Sequence, residues 1–133
     1  MHVWISGRES QHIDDIIAGK KTVEGRLARG KFAHYAPGDI VELRRDFRDE
    51  SGNLQEGEPN QARVRIVAIH RYVSFSEMLE REGIANVLPR AKSMKQAIVE
   101  YQKYYSDKEQ AKYGVLGIVI ELVPIDSRQN YQI

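Results

Sequence analysis

A chain of 133 residues, 41% of them hydrophobic and 29% charged, has room for one folded domain with a core of its own and little more. Its formal net charge of +1 excludes a polycation, so any affinity for nucleic acid has to arise from a local patch. The absence of cysteine excludes a disulfide framework, a thiolate metal site and a cysteine nucleophile.

The chain reads as one domain over 1–133, with a core over about 3–123 and a C-terminal tail over 124–133. The N-terminus turns charged at Arg8 and Glu9, too early for a secretory signal. The most apolar stretch, Val115 to Val123, includes Glu121 and is far too short to span a bilayer. The expectation is a soluble, cytoplasmic protein with no membrane partner, and a monomer rather than an oligomer.

In chain order, residues 2–6 read as a short strand. Ser6 and Glu9 have the spacing of a capping box, and Ile13, Ile16 and Ile17 recur at helical intervals, so a helix is predicted over about 8–18. Gly19 stands where a helix C-terminal glycine belongs. Thr22 to Leu27 reads as a strand, followed by a basic loop through Gly30, Lys31 and His34. Pro37-Gly38-Asp39 marks a turn into a strand ending at Arg45. The polar stretch Asp49 to Asn60 reads as a flexible hairpin loop, and Ala62 to Tyr72 as a strong strand with Val64, Ile66 and Ala68 alternating. Residues 74–113 are helical, interrupted at Pro89, with a second helix from about Ser93 to Tyr105. Gly114 opens Val115 to Val123, apolar on both faces as in a fully buried strand. Strands and helices mix without regular βαβ alternation, which predicts an α+β fold with a largely antiparallel sheet, curling into a small barrel that would remove its edges.

Two windows carry local positive charge. Residues 19–35 hold Lys20, Lys21, Arg26, Arg29 and Lys31 against Glu24 alone, and residues 90–113 hold six lysines and arginines against three acids. Along a strand Thr22, Glu24 and Arg26 share one face and Val23 and Gly25 the other. Val23 is expected in the core and Glu24 beside Arg26 on a polar face, with Lys21 swinging over it from the helix–strand junction. A planar guanidinium and a mobile ammonium suit phosphate, and a carboxylate suits an exocyclic amine. The same residues also fit a salt-bridge network tying the strand to its helix. Tyr101 and Tyr105 continue the Met94–Ile98 stripe and read as core. Tyr104 lies off that stripe and is the candidate for stacking a base. His2, His12, His34 and His70 show no metal-ligand spacing, and no pattern implies a cofactor.

Gly19-Lys20-Lys21-Thr22-Val23-Glu24-Gly25-Arg26 resembles the G-x-K-x-x-E-x-R signature of the ASCH (activating signal cointegrator homology) domain. Pro37-Gly38-Asp39-Ile40-Val41 and Tyr113-Gly114-Val115-Leu116-Gly117-Ile118 resemble the family's next two features, in the family's order. The resemblance covers about residues 3–123. It implies a PUA-like fold, a mostly antiparallel barrel of five or six strands with flanking helices, and RNA or a modified nucleoside as ligand. The ligand-binding residues it implies are Lys20, Lys21, Thr22, Glu24, Arg26, Arg29 and Lys31, with Tyr104 added from its position.

Some family members resemble amidohydrolases acting on N(4)-acetylcytidine, and others are linked to single-stranded RNA cleavage. If the chain is an enzyme, Lys21 and Glu24 are its catalytic candidates. The amidohydrolase-like pattern has threonine three residues after the lysine, where this chain has Glu24. Its more distant glutamate falls in the region of Glu80 and Glu82. Read from the sequence, the preceding helix end and Glu24 both hold Lys21 in its charged form, as an anion clamp.

Overall fold

A computed structural model describes residues 1–125. The elements in chain order are β1 (Val3–Glu9), α1 (Ser10–Ile17), β2 (Val23–Leu27), a 3₁₀ turn (Gly30–His34), β3 (Ile40–Arg48), β4 (Leu54–Tyr72), α2 (Phe75–Glu82), α3 (Ile84–Val87), α4 (Met94–Gln102), α5 (Asp107–Tyr113) and β5 (Val115–Leu122). The strands form one five-stranded sheet in the order β1-β3-β4-β5-β2. Only β1–β3 is parallel; the other three pairs are antiparallel. The α+β class and the flanking helices are as expected. The sheet does not close into a hydrogen-bonded ring, however, and β1 and β2 remain its edges.

Two apolar layers hold the sheet. On one face Ile13 and Ile16 of α1 pack on Val41, Leu43, Val64, Ile66, Ile118 and Ile120. On the other, Val23 and Leu27 pack with Phe75, Met78 and Leu79 of α2, Val87 of α3 and Ala97 of α4. Val23 is therefore core, as its alternation requires. Val115 to Ile120 is almost wholly buried because both layers lean on β5.

The boundaries depart from the sequence reading in three places. First, β1 runs on to Glu9 because it pairs in register with β3 from Val3↔Ile40 to Glu9↔Asp46. Ser6 is thus a strand residue, and α1 starts at Ser10 without a side-chain cap. Second, the expected loop over 49–60 shrinks to a turn, since β4 begins at Leu54 and the β3–β4 ladder extends out to Arg48↔Leu54. Third, the helical segment splits into four. Ser106 and Glu109 make a full capping box that starts α5, so the helix read through Tyr105 stops at Gln102. In the predicted tail, residues 126–133 lie outside the described residues. No helix among the described residues is long and apolar enough to cross a membrane.

Candidate functional site

Gly19 sets the site up. Its φ of +75° lets the chain reverse at the end of α1, and the N–H groups of Lys20 and Lys21 both return to the Asp15 carbonyl at 2.9 and 3.1 Å. The Thr22 N–H then docks on the Asn86 carbonyl of α3 at 2.9 Å. This turn drives the Lys21 side chain inward. It is 5% exposed, and its Nζ donates to the Val87 carbonyl at 2.5 Å.

Glu24 is buried as well, on the face of β2 opposite Val23. The expected polar face is thus interior, covered because the curled sheet brings β1 opposite β2. Arg8 of β1 reaches Glu24 with two hydrogen bonds, Nε to Oε2 at 2.5 Å and Nη2 to Oε1 at 2.9 Å. Its Nη1 donates to Ser6 Oγ and the Gly7 carbonyl at 2.6 and 2.8 Å. Arg26, the expected partner of Glu24, stands farther off, with Nη2 3.6 Å from Glu24 Oε2.

The charges respond to this burial. Desolvation works to raise the Glu24 carboxyl, but the charge and hydrogen bonds of Arg8, then Arg26 and Lys21, outweigh it and hold the carboxyl well below the usual range. For Lys21 desolvation wins. Burial, aided by Arg26 and Arg8 against the opposing pull of Glu24, brings the amine down to about 8. Glu24 favours the charged form of Lys21, as expected, but burial outweighs that pull, so the amine is lowered rather than held up. His12 of α1 is likewise lowered, by burial and then by Lys21, which favours its neutral form.

A cleft of about 110 Å³ opens over these groups. Lys21, Glu24, Gly25 and Arg26 contribute from β2 and its approach, Glu9 from the end of β1, Gln11 and His12 from the start of α1, Glu100 and Tyr101 from the end of α4, and Tyr104 and Tyr105 from the turn after it. Tyr101 stacks on Phe75, with ring centres 4.2 Å apart and planes 8° apart. Its hydroxyl lies so near the Gly25 backbone that a Cβ there would come within 2.6 Å of it. Tyr101 and Tyr105 thus serve the core, as expected, and also wall the cleft. Tyr104 is 58% exposed at its rim and contacts Tyr105 edge-on. A neighbouring cavity of about 160 Å³ shares Gln11, His12, Leu88 and Glu100 and ends on the ion pair of Asp15 with Arg90.

Of the residues singled out in the sequence, Lys21, Glu24, Arg26 and Tyr104 meet in this cleft. Lys20 is exposed beyond it, Thr22 is held in the backbone ladder, and Arg29 is engaged by Glu109 at 2.7 Å. Lys31 sits beyond Arg26, with its Nζ 5.6 Å from the centre of the Phe32 ring. Neither distant glutamate reaches the cleft. Glu80 is exposed on α2, while Glu82 accepts from the Tyr72 hydroxyl and pairs with His70 beside Gly117. Besides Glu24, the carboxylates that line it are Glu9 and Glu100. Sequence reasoning missed Arg8, Glu9, His12 and Glu100. Only His12 left a usable sign, one helical turn before the buried Asp15 on α1.

The sequence model of the ASCH domain matches residues 9–124. The chain belongs to the ASCH family. Among solved structures, this ASCH domain is similar to the hypothetical protein PH0355, at 38% identity over 91% of this chain and 99% of that one, with a TM-score of 0.75. Protein PF0455 from Pyrococcus furiosus gives 36% identity over 91% and 97%, with a TM-score of 0.70. The Y47F mutant of ZmASCH from Zymomonas mobilis is only 12% identical over 99% and 82%, and its TM-score of 0.56 speaks for the fold alone. No curated protein matches the chain.

Proposed function

We propose that this ASCH domain binds RNA or a modified nucleoside by taking one base into the cleft at β2. The observation that carries this reading is the composition of the cleft. Its lining has three carboxylates, Glu9, Glu24 and Glu100, against the two bases Lys21 and Arg26, with three tyrosines along one wall. A surface slightly rich in carboxylates repels a chain of phosphates but suits a base edge that donates from an exocyclic amine. Tyrosine faces supply stacking that tolerates many bases. The Arg8–Glu24 bridge between the two edge strands supports reading the fold as a PUA-like barrel, closed by side chains rather than by a ladder. Titration with cytidine, N(4)-acetylcytidine and a short single-stranded RNA tests the reading. Saturable binding that weakens in Tyr104→Ala is expected, and no binding by any of the three ligands overturns it.

One observation favours a second reading, hydrolysis of the same ligands. An amine lowered to about 8 is partly unprotonated near neutral pH, as a base or nucleophile requires. In that reading Lys21 takes a proton from a water that adds to the acyl carbon of an acetylated base, whose exocyclic nitrogen leaves with that proton as acetate forms, or from a ribose 2′-hydroxyl whose oxygen then displaces the 5′-oxygen at phosphorus, and Glu24 with Arg8 fixes its surroundings. Chromatography of N(4)-acetylcytidine and gel analysis of labelled RNA after incubation decide it. Unchanged substrates with the native protein leave the binding reading alone.

A further inference from the structure

The proposed base cleft leaves two nearby cations without a carboxylate of their own. Arg8 is committed to Glu24 and Arg44 to Asp46, the latter at 2.6 Å. Arg26 has only a longer ion pair, to the Glu24 carboxylate that Arg8 already holds. Its Nη2 is beyond hydrogen-bond range of Glu24, and its Nε is buried without a partner among the described residues. Lys31 has only a long contact, 3.3 Å, to the Ile5 carbonyl. Both converge on one ring. The Arg26 guanidinium lies 4.9 Å and the Lys31 ammonium 5.6 Å from the centre of Phe32, with Arg8 at 5.8 Å.

The fold holds this surplus at a cost. Burial first, then the charges of Arg8, Arg26 and Arg44, lower the Lys31 amine from its ordinary value. An unfilled donor and two cations around an aromatic ring form a site that an anion would relieve. Arg26 also lines the base cleft, so the anion would lie next to the base.

We propose that Arg26 and Lys31, gathered at the Phe32 ring, form a subsite for one phosphate adjoining the base held in the cleft. The inference rests on the nucleotide-binding reading above and narrows it. The ligand is a phosphorylated nucleoside, supplied either as a free monophosphate or as one link of an RNA strand. The phosphate binds where Arg26 and Lys31 meet at the Phe32 ring. Stacking of cations on Phe32 for stability alone is the competing role, and it predicts no response to phosphate.

The test has two arms. In the first, the Arg26 Nε–H signal, identified by its loss in Arg26→Lys, is followed by NMR during titration with inorganic phosphate at low salt. A saturable shift that disappears in Lys31→Ala is expected, and an unmoved signal overturns the subsite. In the second, affinities are compared for cytidine, its 3′- and 5′-monophosphates, and a cytidine dinucleotide. One added charge-assisted contact is expected to tighten binding about tenfold, with the gain largely lost in Lys31→Ala. A preference for the dinucleotide identifies an RNA strand as the source, and a preference for a monophosphate identifies a free nucleotide. Equal affinity for nucleoside and phosphorylated forms overturns the inference while the base cleft stands. If no nucleoside binds yet phosphate moves the Arg26 signal, the base-cleft reading falls and the anion site stands.

Discussion

Arg8 of β1 and Glu24 of β2 join the two open edges of the sheet through two hydrogen bonds, and both side chains are nearly excluded from solvent. Removing one partner leaves the other charge buried and unpaired. Arg8→Ala and Glu24→Ala are each expected to cost about 3–5 kcal/mol, measured by urea denaturation. The double variant Arg8→Met/Glu24→Leu is expected to recover much of that loss, because it removes both charges together. Equal losses in the single and double variants would refute the pairing.

The same pair sets the acid limit. Glu24 is held well below the ordinary glutamate value of 4.5, so the unfolded chain takes up this proton first. The stabilisation is fully present above about pH 4.5 and drains away as the pH falls toward the folded value. Urea midpoints between pH 3 and 6 are expected to fall steeply in the native protein and less steeply in Glu24→Gln.

Gly25 lines the cleft where the chain has no room for a side chain. A Cβ added there would lie 2.6 Å from both Met78 Cε and the Tyr101 hydroxyl. The methionine end can move, but Tyr101 is fixed against Phe75. Gly25→Ala is expected to destabilise by about 1–3 kcal/mol and to weaken ligand binding. Adding Tyr101→Phe, which removes the obstructing oxygen, is expected to restore part of both. A neutral Gly25→Ala in thermal melts would count against this packing.

Much of this was legible in the chain itself. The run from Gly19 to Arg26 pointed to the cleft, because the turn glycine, the alternation of β2 and the charged residues all lie within eight positions. Hydrophobic patterning likewise placed Ile13 and Ile16, Val64 and Ile66, and β5 in the core. Arg8 was not legible. Sixteen residues from Glu24, it reads as an ordinary surface charge, and only the parallel register of β1 with β3 carries it inside. The burial of Lys21 was hidden for the same reason. Its cover comes from Val87 and its neighbours on α3, far along the chain, whereas the helix-end argument used only local sequence. The outer β3–β4 hairpin looked like a loop because most of its residues face solvent on both sides, leaving no alternation to read.

Arg26 and Lys21 repel each other across the cleft, and that repulsion is one cause of the lowered Lys21 amine. Replacing Arg26 by Gln is expected to move the Lys21 titration upward from about 8, read from its side-chain NMR signals. An unchanged titration would leave burial and Arg8 as its origin.

Lys21 gives the last and sharpest prediction. Its amine falls from the ordinary value of 10.5 to about 8 on folding, so between those values the unfolded chain binds more protons than the native one. Stability is therefore lowered by Lys21 below pH 8 and rises as the pH climbs from about 8 to 10.5. Lys21→Met keeps the length of the side chain, removes the titration, and is expected to abolish that rise in chemical denaturation experiments. Lys21→Arg is expected to fare worse than methionine, since a larger, permanently charged group has to enter the same enclosed space beside Val87. Both variants are expected to lose nucleoside affinity. If Lys21→Arg instead keeps native stability and affinity, the buried-amine account fails and an exposed cationic contact replaces it.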